Sequence, residues 1–258
     1  MEILNTTVLI TGANRGIGRA VAEAFAAEGA HLVLAVRKPE KDLEDQLRAR
    51  GAPSVRSMGV DLSSRASVSG FLEAISEMPV DILFNNAGLL TGGLLEEQPW
   101  PEIEAMLEVN VNAVIRITRA VLPGMLQRRR GKIVNNASVS ALMHFPCAST
   151  YAASKAAVWA FTECLQAELK GTGVSALCLL TPGVKTRMYD QIRPLYEKNL
   201  DIPDGGALPA QEYAERVLEA IRRDEELLLP GGSTGLALAI ARFLPPVFRR
   251  LAASRLRR

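Results

Sequence analysis

The sequence predicts an α/β fold, a doubly wound parallel sheet of about seven strands with helices on both faces. Short runs rich in Val, Ile and Leu recur along the chain, and segments with apolar residues three or four positions apart lie between them. Nearly continuous apolar strands are typical of parallel sheets covered on both faces, and the alternation with helices gives right-handed crossovers. The candidate strands are Thr7–Ile10, His31–Val36, Val55–Val60, Asp81–Phe84, Lys132–Asn135, Val174–Leu180 and Glu226–Leu229.

Composition limits the classes of protein that this chain can belong to. It has 258 residues, of which 48% are hydrophobic and 22% charged, so it can bury a large core and is not a disordered chain. A net charge of +2 excludes a molecule built to coat nucleic acid over its whole surface. Because no repeat, low-complexity tract or linker divides the sequence, we expect a single domain over residues 1–258.

The cysteines indicate a reducing compartment. Cys147, Cys164 and Cys178 form no CxxC pair and have no histidine at metal-ligand spacing, so we expect free thiols, no metal site and a cytoplasmic location. Glu2 and Asn5 interrupt the start of the chain, so no signal peptide is expected. The longest apolar run is too short to span a bilayer.

The first predicted strand leads into the glycine-rich sequence TGANRGIG at residues 11–18, and a helix follows. Glycines at this spacing let the backbone turn tightly and let a pyrophosphate approach the helix N-terminus, whose free N–H groups favour an anion. A plain strand-to-helix turn does not need three glycines at this spacing. The position of the turn therefore predicts a dinucleotide site.

The end of the second predicted strand indicates which nucleotide binds, because the ribose 2′ position lies there. Val36 ends this strand where an NAD enzyme commonly has an acid, and Arg37 and Lys38 follow it. Arg15 in the glycine-rich turn supplies another guanidinium. Forked cationic donors match a 2′-phosphate, so we predict NADP as cofactor, with NADPH preferred over NADH. The alternative is that Arg37 and Lys38 belong to a solvated loop.

Tyr151 and Lys155 lie four residues apart near the start of a strongly periodic helix. Residues at this spacing share one helix face, so the phenol and the ammonium can point into the same cleft. A nearby cation favours the phenolate and brings a tyrosine toward useful acid–base range. This pair is a candidate catalytic site, although the pattern alone is common and mostly structural.

Together these motifs resemble those of the short-chain dehydrogenase/reductase family over residues 6 to about 230, which implies a Rossmann-type fold. Several modest motifs in the family's order make the joint match specific. Its further marks are Asp61-Leu62, NNAG at 85–88, Asn110, Ser138 thirteen residues before Tyr151, and Pro182-Gly183 with Thr186.

The resemblance implies a role for each matched residue. Tyr151 would be the general acid for carbonyl reduction, Ser138 would hold the carbonyl oxygen, and Lys155 would bind the nicotinamide ribose and lower the pKa of Tyr151. Asn110 would hold a water linked to Lys155, with the neighbouring Asn112 as the alternative for this position. The implied cofactor-binding residues are Gly12, Asn14, Arg15, Gly16, Ile17, Gly18, Arg37, Asp61, Leu62, Asn86, Ala87, Gly88, Tyr151, Lys155, Pro182, Gly183, Val184 and Thr186.

Residues 184–207 depart from the strand–helix alternation and contain Pro194, Pro203 and the Gly205-Gly206 pair. Long excursions in compact domains are often lids, so we predict a substrate lid here. Its apolar and aromatic residues are Met188, Tyr189, Leu195 and Tyr196, and the mainly apolar residues 141–146 are expected to form a second wall. Two apolar walls favour a bulky hydrophobic ketone or secondary alcohol as substrate.

The second departure is a C-terminal helical tail, residues 232–258, which Pro245-Pro246 splits into two pieces. Six arginines and no acid lie between Leu227 and Arg258; subtracting them leaves 24 basic and 28 acidic residues in the rest of the chain. The tail can cover the pocket, join subunits of a homodimer or homotetramer, or lie on an anionic membrane surface. We favour the first two, because two short proline-broken helices make a weak anchor.

The combined motifs predict an NADPH-dependent carbonyl reductase or alcohol dehydrogenase that acts by hydride transfer on a hydrophobic small molecule. The alternative is a catalytically inactive NADP-binding regulator with the same fold. Intact Ser138, Tyr151 and Lys155 argue against that alternative. Six arginines alone are poor evidence for a nucleic-acid partner, and none is expected.

Overall fold

A computed structural model describes residues 1–201 and 206–257, apart from the side chain of Arg193. Within these residues seven parallel strands form one sheet in the order β3-β2-β1-β4-β5-β6-β7, which confirms the predicted fold class. Each observed strand overlaps its predicted run. The strands are β1 (Thr7–Thr11), β2 (His31–Val36), β3 (Val55–Gly59), β4 (Ile82–Asn85), β5 (Gly131–Asn136), β6 (Val174–Leu179) and β7 (Leu227–Leu228).

Helices connect successive strands, two very short helices follow β6, and two more helices close the chain. Ser64 caps the third helix by accepting a hydrogen bond from the Ser67 amide, as short hydroxyl side chains do at helix starts. The helices are α1 (Gly16–Ala27), α2 (Lys41–Ala49), α3 (Arg65–Ile75), α4 (Trp100–Leu107), α5 (Ala113–Arg128), α6 (Ser149–Glu168), α7 (Arg187–Asp190), α8 (Ile192–Tyr196), α9 (Ala210–Arg222), α10 (Gly232–Phe243) and α11 (Pro245–Ala253).

The two faces of the sheet carry separate apolar layers. On β1, Val8 and Ile10 pack toward α1, α2 and α9, whereas Leu9 between them packs toward α3, α5 and α6. This alternation follows from the period of two in a strand, and burial on both faces explains why β1 is apolar throughout. All three side chains are fully buried.

The strand order reverses between β1 and β4, because β1 leads outward to β2 and β3 whereas β4 leads toward β7. The crossovers on the two sides of this point leave in opposite directions and open a crevice outside the carboxyl ends of the strands. Ligands of doubly wound sheets bind in that crevice. The fold therefore places a site where β1, β4 and β5 end.

Candidate active site

A cleft of about 720 Å³ lies at the carboxyl ends of the central strands, a size typical of small-molecule sites. It brings together residues from every motif found in the sequence. Of the predicted site residues, those that line it are Gly12, Asn14, Arg15, Gly16, Ile17, Arg37, Asp61, Leu62, Asn86, Ala87, Gly88, Ser138, Tyr151, Lys155, Pro182, Gly183, Val184 and Thr186. Gly18 and Asn110 lie behind this lining.

The glycine-rich turn is built around two positions that only glycine fits. Gly12 has a φ of +68°, a left-handed conformation that L side chains rarely adopt. A Cβ on Gly18 would lie 2.3 Å from the carbonyl oxygen of Gly12, so α1 could not start this close to the end of β1. The turn therefore leaves the N-terminus of α1 open to the cleft, as an approaching phosphate requires.

The turn is joined to the loop after β4 by side-chain hydrogen bonds. The Thr11 hydroxyl accepts from the amides of Asn86 and Ala87 at 2.9 and 3.0 Å, and the Asn86 Nδ2 donates to the Thr11 carbonyl oxygen at 3.0 Å. Asn136 at the end of β5 donates to Asn86 Oδ1 at 3.1 Å. These bonds fix the relative position of three strand ends that surround the cleft.

The outer end of the cleft is cationic. Arg15 and Arg37 both line it, next to Val36 at the end of β2. Hydrogen bonds from Ser63 lower the pKa of Asp61, and the nearby Arg37 charge lowers it further. Asn14 also faces this end and donates to Glu40 Oε1 at 3.2 Å. The two guanidinium groups therefore lie where the sequence analysis placed the ribose 2′ position.

The inner end of the cleft contains Tyr151 and Lys155. Both belong to α6, which starts at Ser149, so Tyr151 lies in its first turn and Lys155 one turn later. Lys155 is only 5% exposed, and its Nζ lies 5.8 Å from the centre of the Tyr151 ring. The predicted sharing of one helix face is confirmed by this geometry.

Burial shifts both ionisable groups toward their neutral forms. It raises the pKa of Tyr151 to about 12, although a hydrogen bond with the Ser138 side chain acts in the opposite direction. Burial also lowers the pKa of Lys155 to about 8. For Tyr151 the effect of burial outweighs that of the Ser138 hydrogen bond, and the expectation that Lys155 lowers the pKa of Tyr151 stays a prediction. Tyr151 is a neutral phenol at neutral pH and can act as a proton donor.

Ser138 is held by the turn that follows β5. Its side chain accepts a hydrogen bond of 3.1 Å from the Ser140 amide at the start of a single helical turn, Val139–Ala141. The Val139 amide in turn donates to the carbonyl oxygen of Thr181 after β6. Ser138 is therefore fixed from two sides, with its hydroxyl beside that of Tyr151.

The structure distinguishes Asn110 from Asn112. A π-helical turn, Glu108–Asn112, joins α4 to α5 and directs Asn110 inward, where it is 1% exposed, whereas Asn112 is exposed. Asn110 Oδ1 accepts from the Leu89 amide at 2.8 Å, and its Nδ2 donates to the Leu89 carbonyl at 2.9 Å and to Ser154 Oγ at 3.1 Å. The Asn110 side chain thus binds the loop after β4 and contacts α6, the helix that contains Tyr151 and Lys155.

Polar residues that the sequence analysis did not select hold Lys155 and the ends of β5 and β6 in place through hydrogen bonds. The carbonyl oxygen of Asn136 accepts a 2.8 Å hydrogen bond from Lys155 Nζ, and its side chain also accepts from the Thr181 hydroxyl. Thr181 is hydrogen bonded to the Tyr213 hydroxyl at 2.7 Å. These residues could have been found from the Asn135-Asn136 pair, which ends an otherwise apolar strand. A buried amide needs hydrogen-bond partners, so the pair indicates a polar network at that strand end.

The predicted lid includes α7 and α8, and it lies over the inner end of the cleft. Met188 and Tyr189 line the cleft as expected. Tyr196 is instead buried, and its hydroxyl donates to the carbonyl oxygen of Thr91 at 3.2 Å. Its ring lies so close to Gly92 that a Cβ there would be 1.9 Å from Cε1. Residues 202–205 of the predicted lid, with Pro203 and Gly205, lie outside the described residues.

The second predicted wall lies elsewhere. Within the described chain, residues 141–146 do not line the cleft; Ala141 and Met143 pack against α10 and α11, and the Phe145 and Phe248 rings meet edge to face at 5.4 Å. The expectation is wrong because the apolar side of the tail competes for the same surface. The observed lining near Ser138 and Tyr151 includes the apolar side chains of Leu89, Leu90, Val139, Met188 and Ile192, together with the polar or charged side chains of Ser140, Arg187 and Gln191.

The end of the tail contacts the lid. Leu200 and Leu256 form an antiparallel bridge, in which the Arg257 amide donates to the Asn199 carbonyl at 2.7 Å. The Asp201 amide donates to the Arg255 carbonyl at 3.0 Å. The tail therefore fixes one edge of the lid; Arg258 lies outside the described residues.

In the part of the chain that the structure describes, no group of His, Cys, Asp and Glu side chains is arranged to hold a metal ion, and no helix is long and apolar enough to cross a membrane. The three cysteines are free thiols.

The cleft has a glycine-rich turn at one end and a buried lysine beside a tyrosine at the other, on a doubly wound parallel sheet. This fold and site are those of an oxidoreductase that binds a dinucleotide. The short chain dehydrogenase family model matches residues 6–197, and the chain belongs to the short-chain dehydrogenase/reductase family. It is 38% identical to a short chain dehydrogenase of Pseudocercospora fijiensis over 243 residues, which is 89% of this chain and 74% of that protein.

Solved structures of this family are similar over nearly the whole chain. A short-chain dehydrogenase from Sphingobium yanoikuyae in complex with NADPH has a TM-score of 0.81 at 28% identity, covering 98% of this chain and 97% of that one. A family member from Burkholderia phymatum in complex with NAD has a TM-score of 0.81 at 32% identity, covering 97% and 96%. A bulky-bulky ketone specific alcohol dehydrogenase from Comamonas testosteroni has a TM-score of 0.79 at 25% identity, covering 96% and 94%.

Proposed function

We propose that this protein is an NADPH-preferring carbonyl reductase or alcohol dehydrogenase that acts on a hydrophobic ketone or secondary alcohol. The observation that carries the proposal is the meeting of Ser138, Tyr151 and Lys155 at one end of a cleft whose other end has a glycine-rich turn and two arginines. Nicotinamide, when bound, supplies the hydride chemistry, and the protein supplies orientation and proton transfer.

The residues of the inner cleft divide the remaining work. The Tyr151 phenol, neutral because burial raises its pKa to about 12, donates its proton to the carbonyl oxygen of the substrate as that oxygen gains charge. The Ser138 hydroxyl donates a second hydrogen bond to the same oxygen, so two fixed donors stabilise the developing alkoxide. In alcohol oxidation the same groups act in reverse: the phenolate form of Tyr151 accepts the hydroxyl proton of the alcohol and becomes the neutral phenol.

Lys155 holds the sugar next to the reacting ring and orients the site. Its Nζ donates to the Asn136 carbonyl oxygen, which leaves two ammonium hydrogens for ribose hydroxyls. Asn110 acts as a positioning residue, since its side chain binds both the Leu89 backbone and Ser154 on α6. We propose this positioning role for Asn110 beside the water-mediated link to Lys155 that the family resemblance implies.

The proposed preference for NADPH depends on charge at the outer end of the cleft. Arg15 and Arg37 line that end, and within the described residues no acid follows Val36 before Glu40. A guanidinium pair suits a 2′-phosphate. The family member from Sphingobium yanoikuyae is in complex with NADPH and supports the proposal, whereas the one from Burkholderia phymatum is in complex with NAD.

The proposed substrate class depends on the apolar lining of the inner cleft by Leu89, Leu90, Met188 and Ile192. The likeness to a bulky-bulky ketone specific alcohol dehydrogenase supports it.

We further propose that residues 1–258 work as one catalytic domain in a homodimer or homotetramer. Free Cys147, Cys164 and Cys178 support a cytoplasmic location.

The test is turnover by the purified protein with NADPH and a panel of aliphatic, alicyclic and aromatic ketones, followed by loss of NADPH absorbance. The proposal expects turnover of apolar ketones that depends on Tyr151. Tight NADPH binding without turnover of any carbonyl compound would favour the inactive regulator instead.

A further inference from the structure

The helix α10 has two apolar sides, and only one of them packs on the protein. Leu238 and Ala241 are buried against the segment that follows β5. Leu236 and Phe243, seven residues apart and therefore on one helix face, are 66% and 74% exposed. Packing on the core does not explain large apolar side chains on this second face.

The helix α11 repeats this arrangement. Phe248 and Ala252, four residues apart, are buried against the protein. Leu244, Val247 and Leu251 recur at intervals of three and four residues, and all three are about half exposed. Phe243 ends the exposed stripe of α10, and Leu244, the next residue, begins that of α11.

Cations surround these stripes, and acids are absent from them. No Asp or Glu occurs between Leu227 and Arg258. Arg242, Arg249 and Arg250 are exposed, and no described carboxylate forms an ion pair with any of them. The Arg242 guanidinium lies 5.7 Å from the centre of the Phe243 ring, so cation and apolar group are presented side by side.

We propose that the exposed side of α10 and α11, residues 236–251, is a docking surface for a bilayer that contains anionic lipids. The exposed apolar side chains on both helices reverse the preference for pocket cover or subunit contact that the tail sequence alone gave. Apolar side chains at the acyl boundary with arginines at headgroup level are the pattern of helices that lie in a membrane interface. Helices of twelve and nine residues lie on a bilayer and do not cross it. The inference is independent of the proposed activity.

Charge decides between a bilayer and a second copy of this chain as the occupant. A two-fold contact through this surface would bring the same arginines of two copies together, and the tail has no acid to neutralise them. An anionic headgroup layer supplies the missing negative charge. Each arginine near such a surface strengthens partitioning by about fivefold.

The experiment is co-sedimentation of the purified full chain with vesicles of phosphatidylcholine alone or with roughly a quarter phosphatidylserine. We expect the anionic vesicles to bind at least about tenfold more strongly at low salt, and raised salt to remove most of the difference. This comparison uses the unmodified protein and does not depend on any variant folding.

Two pairs of substitutions test the surface itself. Phe243→Ser with Leu251→Ser, and Arg249→Glu with Arg250→Glu, should each weaken binding about tenfold or more, with an unchanged melting temperature. The matched controls are Leu95→Ser and Arg56→Glu, which alter exposed residues far from the tail in sequence and should bind as the unmodified protein does. Absence of binding to anionic vesicles, or equal losses in the controls, would overturn the proposal. So would a tail variant that changes the oligomeric mass in solution and keeps vesicle binding, because a second copy would then cover this surface.

Discussion

The Nζ of Lys155 donates a 2.8 Å hydrogen bond to the main-chain carbonyl oxygen of Asn136. This bond connects α6, which contains Tyr151, to the end of β5, two residues before Ser138. The position of the ammonium is therefore set by the sheet as well as by its own helix. Because Lys155 is buried, this hydrogen bond compensates part of the cost of removing its charge from water.

The first prediction concerns pH. Burial lowers the pKa of Lys155 to about 8, so the ammonium predominates below that pH and is lost above it, whereas Tyr151 keeps its proton up to about 12. We expect kcat/KM for ketone reduction to fall as the pH rises through about 8. In Lys155→Arg, any remaining activity should decline only at higher pH, because a guanidinium does not titrate there. If kcat/KM of the unmodified protein stays constant well above pH 8, the loss of the Lys155 ammonium does not control the activity and the prediction is wrong.

The second prediction concerns the cofactor. Arg37 lines the cleft and Lys38, the next residue, does not. Arg37→Asp should remove an attraction for a 2′-phosphate and add a repulsion, and so reverse or flatten the ratio of kcat/KM for NADPH to that for NADH. Lys38→Asp makes a change of the same size in charge and should alter the ratio much less. Equal kinetics with both cofactors in the unmodified protein would defeat the prediction.

The third prediction concerns the contact between Gly92 and the Tyr196 ring of the predicted lid. Gly92→Ala puts a Cβ where the Tyr196 ring lies, so the ring must leave its buried position. We expect a destabilisation of about 1–3 kcal/mol and a raised KM for the ketone, with little change in NADPH affinity. Gly70→Ala in α3 is the control, since its Cβ meets nothing within 4 Å and should be neutral or stabilising.

A double variant tests the same contact from the other side. Tyr196→Ala removes the ring that the new methyl group meets, so Gly92→Ala should cost less stability in that background than alone. Additive losses in thermal unfolding would show that Gly92 and Tyr196 do not interact in this way.

The fourth prediction concerns substrate size. Each methylene buried against the apolar inner cleft stabilises binding by about 0.8 kcal/mol, or close to fourfold. We therefore expect kcat/KM to climb along a series of alkyl ketones of increasing length, until the cleft is filled. A flat or falling series, with good turnover of small sugars or hydroxy acids, would mean that the site is polar.

The sequence was sufficient for those features that depend on local pattern. Strand positions followed from short apolar runs, and the shared face of Tyr151 and Lys155 followed from their spacing of four. The glycine-rich turn followed from the need for a left-handed residue at Gly12 and for close packing at Gly18.

Features that depend on distant partners could not be predicted. Asn110 was assigned over Asn112 by the family resemblance alone, because the π-helical turn that directs its side chain inward has no sequence signature. The direction of the Tyr151 pKa shift depends on how much protein surrounds it, which spacing does not report. Residues 141–146 turned to the tail because Phe248 and its neighbours pack there, more than a hundred residues later in the chain.

The most direct test of the account is the turnover of Tyr151→Phe, measured beside its NADPH dissociation constant. Tyr213→Phe is the matched control, because its buried hydroxyl bonds to Thr181 and does not line the cleft. We predict that Tyr151→Phe keeps NADPH affinity and loses about 10²–10⁴-fold in kcat, whereas Tyr213→Phe keeps most of its turnover. Full kcat in Tyr151→Phe would contradict the assignment of Tyr151 as the proton donor.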